Sequence, residues 1–181
     1  MMRKLALTLA ATAALAAGGT VATVVPSGAS TPADSTASAA VTPACVNADL
    51  KASYRARDAG AGHQYGVIRL RNVSDHACTT GGYGGLSYVG GGDGTQIGAA
   101  ADRDKGKVRT IVLQPGQRAV SLVDAVDANN YPRRTCRPRA VDGFRVYIPN
   151  ETVSQFVKHR TVGCANTDVH LLGHKPYRKA G

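Results

Sequence analysis

The hydrophobic positions of this chain recur in twos rather than in threes and fours. Tyr65–Val73 sets Ile68 and Leu70 against Arg69 and Arg71, and Gly143–Ile148 sets Phe144, Val146 and Ile148 against Arg145 and Tyr147. That period reads as half-buried β-strand. Leu50–Tyr54 alternates weakly, and Tyr83–Val89 is a short strand in glycine-rich surroundings. Val108–Leu113 is a further strand, followed by the turn Gln114-Pro115-Gly116-Gln117 and by Arg118–Val126. In Arg118–Val126, Val120 and Leu122 stand opposite Ala119, Ser121 and Val123, and this pair of strands reads as a hairpin or as a corner between sheets. Thr152–Val157 and Val169–Leu172 complete the set. Turns fall at Asn72–Asp75, Pro149 and Pro176. Helical spacing is available only over Val120–Ala128, where β-branched residues favour strand. Seven to eight short strands, with turns about every 8 to 15 residues, predict an all-β antiparallel sandwich of immunoglobulin-like type.

The N-terminus does not fit that pattern. Arg3 and Lys4 precede an uncharged run, Leu5–Ala17, and Ser27-Gly28-Ala29 offers a small-residue cleavage site. The run is shorter than the roughly 20 residues a membrane helix needs. Residues 1–29 therefore read as a secretory signal peptide. Residues 30–43 are Ser, Thr, Ala and Pro with single Asp and Val residues, a composition for a disordered linker. The folded domain is expected over 44–176, with a short basic tail over 177–181. No later hydrophobic stretch is long enough to span a membrane, so the mature chain is expected to be secreted or wall-associated, and monomeric.

Export changes the reading of Cys45, Cys78, Cys136 and Cys164. An even number of dispersed cysteines outside the cytosol implies disulfides. Four cysteines allow three pairings, of which the sequential one, Cys45 with Cys78 and Cys136 with Cys164, is favoured. Zinc sites need closer pairs than these. With all four thiols engaged, a cysteine nucleophile is not expected.

The formal charge is +10, and removing Arg3, Lys4 and Asp34 with the first 40 residues leaves +9. Such a chain is drawn to anionic surfaces. Arg133, Arg134, Arg137 and Arg139 surround Cys136, between Pro132 and Pro138, which predicts an exposed basic loop outside helix and sheet. These four arginines are the candidate anion-binding residues, and Lys175, Arg178 and Lys179 add to the charge near the C-terminus. Nucleic acid is not the expected partner, because no Trp is present and the few aromatics fall in strands.

Catalytic motifs are missing. Nine glycines crowd Gly81–Gly98, but no phosphate-binding glycine motif can be read there, and the stretch reads as loop geometry. No G-x-S-x-G occurs. His170 and His174 are four apart, but on a strand that places them about 13 Å apart, too far for one ion. No catalytic residue, metal or cofactor is expected.

Several segments together resemble a known family. Gly66-Val67-Ile68-Arg69-Leu70-Arg71-Asn72, followed by Cys78-Thr79-Thr80-Gly81-Gly82-Tyr83, is similar to the L-x-L-x-N…C-x-L-x-G-Y-P signature of the DUF4232 family. Val112–Ala119 resembles its L-x-P-G-x-x-A turn. Cys136 with Phe144–Thr152 resembles C…L-x-V-x-x-P-G-E-T, and Cys164 precedes a last strand as in the family. Gly84 stands where the pattern has Pro, and Asn150 where it has Gly. The resemblance covers about residues 45–175. It implies an exported actinobacterial β-sandwich and carries no activity or site residues with it. Asn72-Val73-Ser74 and Asn150-Glu151-Thr152 match the glycosylation pattern, and both read as chance.

Two functions are expected to compete. The first is a non-enzymatic binding module for an anionic cell-wall polymer, another anionic envelope component or an acidic partner protein. The second is a secreted inhibitor or ligand-sequestering protein acting through Gly90–Lys107 or Tyr131–Arg139. A hydrolase would require a histidine, an acid and a nucleophile to meet in a pocket.

Overall fold

A computed structural model describes residues 41–181. The expected signal peptide, residues 1–29, and residues 30–40 of the expected linker lie outside the described residues. The chain runs β1 (Leu50–Gly60), β2 (His63–Asn72), β3 (Cys78–Gly81), β4 (Gly85–Gly90), β5 (Thr95–Ile97), β6 (Asp102–Arg103), β7 (Thr110–Leu113) and β8 (Arg118–Val126). A 3-10 turn at Ala128–Asn130 leads to the helical turn α1 (Arg133–Cys136). Then follow β9 (Pro138–Tyr147), β10 (Ser154–Cys164), β11 (Leu172–His174) and β12 (Arg178–Lys179). The fold is all-β and sandwich-like, with four more strands than the hydrophobic pattern predicts at the most. β3, β5, β6 and β12 are two to four residues long, too short to show a period, and the last strand expected at Val169–Leu172 lies at Leu172–His174 instead.

One sheet has the order β1-β2-β8-β11-β6, with β12 also pairing β8. The other has the order β10-β9-β4-β5, and β3 and β7 form a two-stranded sheet. All pairings are antiparallel except β11 with β6. β7 and β8 do not pair with each other, so the Gln114–Gln117 turn is a corner that carries the chain from one sheet to the next. The β1–β2 hairpin closes through Ala61 and Gly62 at φ 51° and 77°, the two left-handed residues that match strand twist in a two-residue turn.

The alternation picks out the core. Leu50, Ile68 and Leu70 from one sheet meet Leu86, Phe144, Val146 and Val157 from the other in one buried cluster. β1 and β10 continue past the stretches the pattern predicts, for two reasons. Residues Arg55–Gly60 are exposed on both faces, beyond the end of the sandwich, and a bulge between Lys158 and Thr161 interrupts the alternation of β10. At the edge where β1 meets β10, the Gln155 side chain bonds the backbone of Asn47, Leu50 and Ala52.

The disulfides are Cys45–Cys78 and Cys136–Cys164, the sequential pairing. Their sequence separations of 33 and 28 correspond to about 3.5 kcal/mol each in the chain-entropy account. Among the described residues no helix is long and apolar enough to cross a membrane.

The segment 177–181 is not a free tail. Tyr177 is buried, its N–H donates to Gly82 O, and Arg178 and Lys179 pair with Val120 and Ala119 of β8. The basic residues that end the chain are thereby fixed against the sheet.

Candidate functional site

The Arg133–Arg139 segment differs from its sequence reading. It is not loop throughout: Arg133–Cys136 makes a helical turn, and Arg139 lies within β9. Pro132 and Pro138 permit this because neither is interior. Pro132 caps the turn, where its lack of an N–H costs nothing, and Pro138 opens the strand. Arg137 ends the turn in a left-handed conformation at φ 52°, with its N–H on Arg133 O. The buried Cys136–Cys164 bridge and the bond from Asn166 Nδ2 to Thr135 O hold the segment. All four arginines are exposed, as predicted, and among the described residues none sits within 4.0 Å of a carboxylate.

A larger basic feature lies at the other end of β8. A groove of about 720 Å³ is lined by Ile111 and Val112 of β7, Leu122 of β8, and Pro176 and Tyr177 before β12. Lys107, Arg109, Lys175, Arg178 and Lys179 form its rim, and no Asp or Glu lines it. Lys175 does meet one acid outside the lining, Asp104, at 3.8 Å. The five cations come from two segments some 70 residues apart, joined because β12 docks on β8 beside the approach to β7. Val112 and Leu122 are exposed although large and apolar, as is nearby Val108.

The sequence reading finds three of the five cations of this rim. It registers Lys175, Arg178 and Lys179, and misses Lys107 and Arg109. The available signal is the alternation Lys105-Gly106-Lys107-Val108-Arg109 just before a strand, with Leu122 on one face of β8. Which face of β8 points inward could not be read. The small residues Ala119, Ser121 and Val123 turn out to be buried, leaving Leu122 in solvent.

Arg109 and Thr110 also line a neighbouring open cleft of about 900 Å³ with Thr79–Gly85, Arg103 and Tyr147–Ile148. Two of its glycines are there for close packing. A Cβ on Gly81, at φ 147°, would lie 2.1 Å from Arg109 O, and one on Gly84 would lie 2.2 Å from Tyr147 O. Gly81–Gly98 is therefore not all loop: it carries the end of β3 and the whole of β4 and β5.

His170 and His174 part company. His170 is exposed and meets Asp102 at 2.9 Å, whereas His174 is buried against Ser121. The Ser121 hydroxyl donates to Lys175 O, so its oxygen accepts from His174 Nδ1 at 3.3 Å. Ser121 is 1% exposed, so this pair is packed into the sheet and does not face a cavity. The rings of Tyr83 and His174 meet edge-on at 5.6 Å, and Arg103 lies over the Tyr83 ring at 5.7 Å.

The model of the domain of unknown function DUF4232 matches residues 45–177. The chain belongs to the DUF4232 family. No curated protein and no solved structure matches it. Two of the segments that carry this DUF4232 signature, Gly66–Tyr83 and Val112–Ala119, meet at one place in the fold. Asn72, fully buried, donates to His76 O at 2.8 Å and to Leu113 O at 2.9 Å, and Cys78 pairs with Leu113. Gly116 N–H donates back to Asn72 O. This part of the signature is a structural joint at the end of β7, and its burial leaves Asn72 inaccessible to any glycan.

Burial pushes the imidazoles of His159 and His174 below the ordinary histidine value. For His174, the nearby Arg103 charge acts in the same direction and Asp104 opposes it. The unfolded chain then binds more protons than the fold below about pH 6.5. Stability is expected to be full above that pH and to fall as pH drops through it toward the folded values. Exposed carboxylates act only at lower pH. Urea unfolding at pH 7.5 and 5.5 checks this: His159→Phe is expected to lose less on acidification than the wild type, and an equal loss would contradict it.

Proposed function

We propose that this chain is an exported, non-enzymatic binding module that holds an anionic component of the cell envelope in the groove between β7 and β12. The observation that carries the reading is the convergence of five cations from distant segments around an apolar floor, with no carboxylate in the lining. Two disulfides fit an oxidising compartment. The leader-like N-terminus supports export. The family name assigns no activity that would compete.

The test is co-sedimentation of the purified protein with purified cell envelope at low and at moderate salt. Pelleting at low salt and release by added salt are expected, because screening acts on exposed charges. K107E/R178E is expected to stay in the supernatant at both, while R133E/R134E still pellets. If the wild type never pellets, or if K107E/R178E pellets as well as it does, the groove is not the site. A second reading, a sequestering protein, draws on the Tyr131–Arg139 turn, whose four exposed arginines are held rigidly by a disulfide. A stoichiometric complex with one secreted hydrolase, abolished by R133E/R134E, would favour it.

A further inference from the structure

We infer that the groove and the apolar residues beside it form a docking face for an anionic lipid bilayer. This rests on the reading of the groove as the anion site and names what that site meets. Three observations converge on it, and the first is a cluster of three exposed apolar side chains, out of ten such large side chains among the described residues. Val108 is 58% exposed, Val112 42% and Leu122 38%, and all three adjoin one rim. A site for a water-soluble polyanion has no use for them. A membrane does, because they can enter the interface between headgroups and acyl chains while the cations around them meet phosphate.

The second observation is the rim itself. Lys107, Arg109, Lys175, Arg178 and Lys179 are all exposed and encircle the apolar floor. Lysine and arginine suit this arrangement: their apolar stems lie along the floor and their charged ends reach outward.

The third is the backbone. Thr79 N–H donates to Pro43 O at 2.7 Å, and Thr79 O accepts from Cys45 N–H at 2.8 Å. Both Thr79 groups therefore turn away from β7, which makes Thr79 and Val112 a non-hydrogen-bonded pair. The N–H and C=O of Val112 then point away from β3, and among the described residues no strand pairs with β7 on that side. β12 repeats the pattern. Ala180 N–H bonds Arg118 O, so Arg178 pairs inward to β8 and the Lys179 amide turns outward. The groove thus runs between two strand edges whose amides lack strand partners. A phosphate or ester oxygen at headgroup depth can accept from them.

The experiment compares sedimentation of the protein with phosphatidylglycerol–phosphatidylcholine vesicles, with phosphatidylcholine vesicles, and binding of soluble inorganic polyphosphate. Binding is expected to the anionic vesicles and not to the phosphatidylcholine ones, with polyphosphate held more weakly than the anionic vesicles. K107E/R178E is expected to weaken vesicle binding about tenfold or more, since each basic residue near such a surface is worth roughly fivefold. Leu122→Asn and Val112→Asn are each expected to weaken vesicle binding severalfold and to leave polyphosphate binding unchanged. Melting curves for each variant confirm folding. If polyphosphate binds as tightly as the vesicles and neither Asn variant matters, the bilayer inference falls while the anion site stands. If neither vesicles nor polyphosphate binds, both readings fall. If R133E/R134E abolishes vesicle binding and K107E/R178E does not, the docking face is misplaced.

Discussion

Replacing Asn72 by alanine is expected to destabilise the domain by about 3 kcal/mol, as read from urea unfolding at neutral pH. The Asn72 side chain has no solvent exposure and makes four hydrogen bonds. It donates to His76 O and Leu113 O, and it accepts from the N–H and hydroxyl of Ser74. His76 and Ser74 lie near the surface and can turn to water, so most of the loss falls at Leu113, a residue with no exposure. Asn72→Asp separates geometry from chemistry. It keeps the shape and the acceptor to Ser74, but sets a carboxylate against two carbonyl oxygens in a buried site. It is therefore expected to be worse than alanine at neutral pH and to recover as acid protonates it. A change within about 0.5 kcal/mol for alanine would show that the joint does not depend on this side chain. The same joint fixes the end of β7, so the Asn72 variants are also expected to loosen the groove.

The two-residue period made most of the sandwich legible, because where one face is buried and the other is wet the side chains must alternate. Ile68 and Leu70, and Phe144, Val146 and Ile148, are buried as that logic demands. The sequential disulfide pairing, favoured among the three that four cysteines allow, is the one the structure shows. What stayed hidden had physical reasons. β12 is too short to carry a period, and it exists because β8 offers a partner, a fact of tertiary structure that also sets β11 at Leu172–His174 rather than at the expected Val169–Leu172. For the same reason the last residues could be read only as a tail. Arg133–Cys136 was concealed by its prolines, which mark a boundary in sequence but do not say whether a helical turn fits between two of them.

The site was legible as charge and not as place. Lys107 and Arg109 gain their meaning only when β12 brings Arg178 and Lys179 beside them, and no spacing along the chain announces that meeting. Asn150 shows the converse. It stands where the family pattern has Gly, and the structure holds it at φ 65°, the left-handed region that glycine enters freely and asparagine tolerates better than most residues. A departure from the pattern in sequence therefore preserves it in conformation.

Phe144→Ala is expected to have the largest effect on the fold, about 3–5 kcal/mol. Phe144 has no exposure, and its ring lies 5.0 Å from Tyr54, 5.2 Å from Tyr88 and 4.9 Å from His159, the last nearly parallel. Removing it takes away the ring against which one face of the half-buried His159 imidazole stacks. The cavity is bounded by the Tyr54 hydroxyl-bearing ring and an imidazole, so water can enter it, and burial would then no longer hold the imidazole below its ordinary value. Two readouts separate these consequences. The wild-type advantage over Phe144→Ala is expected to be largest at pH 7.5 and smaller at pH 5.5, where the wild type alone still protects a neutral His159. An advantage independent of pH would mean that the cavity collapses and stays dry. Phe144 belongs to the β10-β9-β4-β5 sheet, whereas the groove is built on β7, β8 and β12. Any Phe144→Ala protein that remains folded is therefore expected to bind anionic vesicles as the wild type does, which distinguishes residues that hold the domain together from those that face its ligand.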